Sequence, residues 1–289
     1  MIREALDFPT SGDHGSWALL VGSLLLLLAG VAVAGAGYAS DAGRPSATVA
    51  AGLSAVVSLV AVRGYYYRSL AAAATRPDPV APSFGGVRRL FSEAAVAIGI
   101  AVLYALPAGL LLGSATGMWL LADRGGRTVE LLAQALGAVA ALFGIVALVA
   151  ALYLTPAALA AVARAGDLPA ALEVRRVIDS AATEDYVVGW VLATALQWTL
   201  VPISALLSTV VVGSVLYFLI AVATRYVFGA SFRAAVGGDD GVPRIGIAPS
   251  NRGRSEAELQ EMVLNADVSR PDAESVSDAR EVESAEKPR

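Results

Sequence analysis

The chain has 289 residues, 56% of them hydrophobic, a formal net charge of −4 and no cysteine. That hydrophobic share exceeds the 45–50% usual for soluble domains, and mean hydropathy is +0.65. The missing thiols exclude disulfide staples and thiolate metal sites.

The apolar residues are gathered in long uncharged runs, and the acids concentrate in the last fifty or so residues. Lys287 is the sole lysine. An arginine-rich, lysine-poor chain with acidic solvent-facing parts fits a high-salt cytoplasm, where charge is screened within ~3 Å at 1 M salt. A high-GC genome produces the same bias.

Residues 1–16 are polar, with Ile2, Leu6 and Phe8 able to rest on a membrane surface, and His14 lies in a glycine-flanked loop. An uncharged Leu-rich run, residues 17–38, follows. Its lead-in carries Glu4, Asp7 and Asp13 instead of a positive segment, so it reads as a retained first span and not as a cleaved signal peptide. The turn Ser40–Pro45 leads to a second span at 47–67, which ends in Arg63-Gly-Tyr-Tyr-Tyr-Arg68. Tyrosines flanked by arginines suit the headgroup belt, so Tyr65, Tyr66 and Arg68 are expected as interfacial anchors, together with Trp17, Trp119 and Trp190.

Pro77, Pro79 and Pro82 take the backbone out of the membrane, and Phe84–Phe91 is an interfacial lead-in to a third span at 91–121. In this span Gly109, Gly113 and Gly117 recur every fourth residue. That spacing places them on one face and makes them helix-packing candidates, with the fourth span as the expected neighbour. Asp123–Arg127 is a short turn, and the fourth span is expected at 129–160, with a break at Pro156 as one way to fit the bilayer.

Residues 164–185 gather Leu168, Leu172, Val174, Val177 and Ile178 toward one side, as in a helix lying on the membrane. Tyr186–Phe232 has the length of a hairpin, with spans at 186–208 and 212–232 and a turn within 202–214. Residues 236–289 form a polar, acidic tail with the composition of disorder. Within it, Ser255–Glu258 is a capping-box pattern before a short apolar stretch.

The expected fold is therefore all-α: a polytopic membrane protein with six spans in residues 1–235. Each pair of spans follows a short amphipathic segment near Phe8, Phe84 or Val177, which suggests three tandem helical hairpins. Arg3, Arg63, Arg68, Arg76, Arg88, Arg89, Arg164, Arg175, Arg176 and Arg233 lie on one side of this threading, against Arg44, Arg124 and Arg127 on the other. The positive-inside rule places both termini in the cytoplasm.

Chemistry is sparse. The first five apolar runs hold no ionisable group, and Arg225 in the last is expected to snorkel to the headgroups. Glu93 and Glu130 read as interface residues. Gln134, Gln197 and Tyr217 are the larger polar groups at depth, where an interhelical hydrogen bond is the ordinary role. No catalytic, cofactor-binding or metal-ligating residue stands out, and no nucleophile has a base beside it in sequence. Loops rich in arginine beside spans favour anionic lipid over nucleic acid.

Gly64-Tyr-Tyr-Tyr-Arg68, Pro82-Ser-Phe84, Leu90-Phe91, Tyr153-Leu-Thr-Pro156, Ala163-Arg-Ala-Gly166, Ala171-Leu-Glu-Val-Arg175 and Tyr186-Val-Val-Gly-Trp190 occur in an order that resembles the domain of unknown function 4013 family. The resemblance covers roughly residues 1–235. A family aromatic after the Pro-x-Phe element is replaced here by Val87. The resemblance implies a haloarchaeal multi-pass integral membrane protein, and it brings no catalytic residues. The function expected is a non-enzymatic membrane scaffold or interaction module. It would be bound to membrane lipids and able to engage a protein partner through its tail. A transporter or channel for a small uncharged or lipid-like solute, with helices broken at Pro107, Pro156 and Pro202, is the alternative.

Overall fold

The computed structural model describes residues 2–122, 126–207 and 211–237. Helix α1 (Ile2–Asp7) and a 3-10 turn at Phe8–Thr10 precede α2 (Gly15–Asp41) and α3 (Pro45–Thr75). After a non-helical linker come α4 (Val87–Ala122) and α5 (Arg127–Ala165), then a 3-10 turn at Pro169–Ala171 and the short α6 (Val174–Ala181). The last pair is α7 (Glu184–Leu206) and α8 (Val211–Val236). No strand occurs among the described residues.

Six of these helices, α2, α3, α4, α5, α7 and α8, are long and apolar enough to cross a membrane. The protein is an all-α, multi-pass helical membrane protein. Lipid offers no partner for backbone polar groups, so each crossing closes its own hydrogen bonds as a helix. The helices pack most extensively as consecutive pairs, α2 with α3, α4 with α5 and α7 with α8. Each pair is a hairpin.

One helix organises the others. In the most apolar window of α8, 72% of residues are buried, against 17–22% in the other five spans. Phe218, Ile220, Val222, Val227 and Thr224 of α8 are all nearly inaccessible. Helix α8 packs most on its hairpin partner α7, then on α3, α2 and α5. Close approach depends on glycine at several crossings. A Cβ on Gly229 would lie 2.5 Å from the Leu70 carbonyl oxygen and 2.8 Å from Ala73 Cβ, so α3 and α8 touch backbone to backbone there. Gly22 of α2 leaves the space that the Phe218 ring fills, and Gly189 of α7 does the same for Ser231.

Several expectations need correction. Helix α3 runs to Thr75, two turns past residue 67, because Leu70, Ala73 and Ala74 are fully buried in the packed core. Helix α5 is unbroken at Pro156 and ends at a left-handed Gly166 (φ 76°), whose N–H bonds the Val162 carbonyl at 2.8 Å. The Phe84 region is not a helix. It lies in the linker, with its ring stacked on Tyr65 at 4.4 Å. Between the end of α5 and the start of α7 only Val174–Ala181 forms an α-helix. Val177 points into the protein, while Leu168, Leu172, Val174 and Ile178 stay exposed. Residues 208–210, within the 202–214 stretch where the turn is expected, lie outside the described residues, as do 123–125 and the tail from 238 with its capping box.

Candidate functional site

The ends of α3, α5 and α8 and the starts of α4 and α7 meet at one end of the bundle, and the side chains that join them are arginines and aromatics. Gly64 brings the α3 backbone against the carbonyl of Leu90 in α4, where a Cβ would collide. One turn later Arg68 reaches the linker. Its Nη1 donates to the carbonyls of Ser83 (2.8 Å) and Gly85 (2.7 Å), and its Nε to the Glu93 carboxylate. Glu93 also accepts from Arg89 Nε at 2.9 Å. The planar, multi-donor guanidinium suits this task, since it can bind carboxylate and carbonyls at once. Gly86, at φ 70°, makes the turn into α4 that a side chain would strain.

The last carbonyls of α3 are met by two further arginines. Arg233 of α8 donates to Ala73 and Arg76, and Arg164 of α5 makes a longer bond to Ala74 at 3.5 Å. A helix C-terminus carries unpaired carbonyls and a partial negative charge, so cations from two neighbouring spans are favourable there. Between this end of α3, the linker, α4 and the end of α5 lies a groove of about 820 Å³, lined by Tyr67, Arg68, Ser83, Arg89, Glu93 and Asp167 among others.

Beneath it sits an aromatic layer around Phe218. Its ring centroid lies 5.3 Å from Tyr65 and 5.7 Å from Tyr66. Phe8 packs on Tyr226 at 4.9 Å and so docks the N-terminal segment on α8. On the α5–α7 side, Tyr153 meets Tyr186 (5.4 Å) and Trp190 (5.2 Å) edge to face. The Tyr186 hydroxyl donates to the Tyr153 carbonyl at 2.9 Å, and the Tyr153 hydroxyl donates to the carbonyl of Ala181.

A family model described as a protein of unknown function, DUF4013, matches residues 47–222. The chain belongs to the DUF4013 family. No match is found among curated proteins or among solved structures. The DUF4013 region contains Arg68, Glu93, Arg164, Phe218 and the linker, while Arg225 and Arg233 lie beyond it.

Within this DUF4013 protein the residues singled out from the sequence scatter. Gly109, Gly113 and Gly117 do not form a seam with α5. Nothing lies within 4 Å of a Cβ built on any of them. The face of α4 that packs carries Ala108, Ala115 and Ala122, and the glycines that allow the approach belong to α5. There Gly137 faces Trp119 and Gly144 faces Leu112. Tyr65 and Tyr66 are buried (0% and 8% exposed) where the extended α3 is covered by α8. Arg68 is an internal clamp. Trp17 and Trp119 are exposed at 65% and 47%, and Trp190 is half-buried on Tyr153. Gln134 is exposed and bonds Glu130 at 3.3 Å, and none of Gln134, Gln197 and Tyr217 lines the groove.

Sequence reasoning missed the clamp between Arg68 and Glu93, the caps supplied by Arg164 and Arg233, and Phe218 as a core centre. The nearest available signal was the coincidence of arginine with the end of every second span. Arg225 sits half-buried between aromatic rings. Its guanidinium lies 5.9 Å from the Tyr66 ring centroid and 5.8 Å from that of Phe228.

Proposed function

We propose that the protein is a non-enzymatic scaffold of the cell membrane, with both termini in the cytoplasm. The observation that carries this reading is the filled interior at the arginine-rich end. Three hairpins are locked there by Phe218, by the guanidinium caps and by α8, and the groove above them stays at that end. A path for solute would require polar groups aligned through the bilayer, whereas Gln134, Gln197 and Tyr217 do not share a described cavity. Such a frame can present its polar loops to anionic lipid, while the acidic tail would engage a protein partner. Nucleic acid is a poor partner for arginines that mostly serve internal contacts.

The orientation rests on arginine. Arg68, Arg76, Arg88, Arg89, Arg164, Arg175, Arg176 and Arg233 belong to the clamped end, and Arg44 and Arg127 to the other. Retention of cationic loops in the cytoplasm gives that asymmetry its sign.

A proteoliposome swelling assay with glycerol and water tests the reading, beside the size of the complex in mild detergent. The scaffold reading expects no flux above empty vesicles and a defined assembly larger than the 29.5 kDa chain. Protein-dependent flux would replace it with transport.

A further inference from the structure

Arg225 is the only charged residue between Val211 and Phe232, and its surroundings differ from those of the other arginines of the bundle. Arg68, Arg164 and Arg233 each donate to carboxylate or carbonyl oxygens. The half-buried Arg225 has ring faces, Tyr66 and Phe228, at 5.9 and 5.8 Å, and no ion pair or hydrogen bond of its side chain is seen among the described residues. Its remaining electrostatic neighbours are Arg63, a second cation, and the hydroxyl of Tyr217. Arg63 is half-buried and likewise has no carboxylate partner there. The Tyr66 hydroxyl is buried without a hydrogen-bond partner.

Arg225 lies over the Tyr66 ring, and Arg63 is one turn before Tyr66 on the same face of α3, so these donors gather around a hydroxyl without an acceptor. Cation–π contact offsets only part of the cost of such a charge, and ionisable groups inside membrane proteins ordinarily have a partner or a use. Depth matters as well. Counting ~20 residues for ~30 Å of hydrocarbon from Pro45 brings α3 to the headgroup level near Arg63–Tyr66. Arginine forks match the oxygens of phosphate.

We propose that Arg225 and Arg63, with the hydroxyls of Tyr66 and Tyr217, form a binding site for a phosphate oxyanion between α3 and α8. The phosphate is that of an anionic phospholipid headgroup entering from the bilayer, or free phosphate entering from the aqueous side. The site is separate from the groove and does not depend on the scaffold reading.

The test uses the full chain purified in detergent, with melting temperature and bound lipid by native mass spectrometry as readouts. Phosphatidylglycerol, phosphatidylcholine and inorganic phosphate are the probes. A melting shift with phosphatidylglycerol but not phosphatidylcholine identifies the lipid source. An equal shift with inorganic phosphate identifies the free anion. In either case Arg225→Gln and Arg63→Gln should each weaken the response about tenfold or more, as expected for one lost charge-assisted hydrogen bond. Arg176→Gln, an exposed control, should leave it unchanged. Without ligand, Arg225→Gln should melt no lower than the native chain, since it removes an uncompensated charge. A purely structural arginine would give the opposite result. Tyr66→Phe guards against misfolding of the arginine variants. It should keep the fold and lose part of the response. A lipid shift that survives in both arginine variants, or no shift with any probe on the native chain, overturns the proposal.

Discussion

Arg68 of α3 and Glu93 of α4 form an ion pair across a sequence gap that contains the entire proline-rich linker, with side chains only 12% and 15% exposed. Arg68 simultaneously binds two linker carbonyls, so one side chain joins the first hairpin, the linker and the second hairpin. Removing one partner of a buried pair leaves the other charge uncompensated, which costs 3–5 kcal/mol in full burial. Arg68→Ala is therefore expected to cost about 3 kcal/mol, at the low end because some solvent reaches the pair. Glu93→Gln should cost less, since Arg68 keeps its carbonyls and Gln still accepts a hydrogen bond. Arg68→Lys should fail to restore stability, as an ammonium lacks the fork. Chemical denaturation in detergent micelles measures all three. An unchanged midpoint for Arg68→Ala would remove the clamp from this account.

The glycines separate into two classes with opposite expectations. At Gly229 the nearest atoms to an added Cβ are Leu70 O, Ala73 Cβ and Ala74 N. Two of these are backbone and cannot give way. Gly229→Ala should then cost roughly 1–3 kcal/mol, the range for overpacking, and Gly229→Leu should abolish the α3–α8 contact. Gly113→Leu meets open space and should change the melting temperature of the isolated chain hardly at all. Equal losses in the two variants would contradict the packing described here.

These two classes also mark how far the sequence could be read. Six spans, their order and their pairing as hairpins follow from hydropathy and turn residues, because a bilayer sets length and satisfies no backbone group. Which face of each span turns inward does not follow. Lipid is as apolar as a protein core, so a helix face toward lipid and one toward protein look alike in composition. This is why the regular Gly109–Gly117 stripe reads as a seam although it faces outward, and why α8 is not distinguished from its neighbours. The polar contacts were illegible for another reason. Arg68 and Glu93 are 25 residues apart and Arg233 and Ala73 are 160 apart, distances over which no local spacing rule operates. The arginine asymmetry is visible in sequence, but the internal use of those arginines appears only once the helix ends are placed.

Two tyrosine hydroxyls hold the segment between α5 and α7 against the bundle. Tyr104 donates to the Ala171 carbonyl at 2.8 Å, and Tyr153 donates to that of Ala181. Each such bond contributes about 1 kcal/mol net. Tyr104→Phe and Tyr153→Phe should therefore speed amide hydrogen exchange in residues 166–183 several-fold while leaving the centres of α3 and α8 protected, because local opening needs only the loss of local contacts. Acceleration spread evenly over the spans would show that the tyrosines support the whole bundle instead.

The absence of cysteine makes the threading directly testable, since any introduced thiol is unique. Ala42 lies exposed just after α2, at the end of the bundle away from the clamp, and Arg88 lies exposed at the start of α4, beside it. A membrane-impermeant maleimide applied to intact cells should label Ala42→Cys and spare Arg88→Cys. Permeabilised cells should show both labelled. The two sites sit at opposite ends of the six-helix bundle, so a correctly inserted chain exposes only one of them to each side. The arginine asymmetry requires Arg88 to be the protected one. Labelling of Arg88→Cys with protection of Ala42→Cys would invert the proposed orientation while leaving the fold intact.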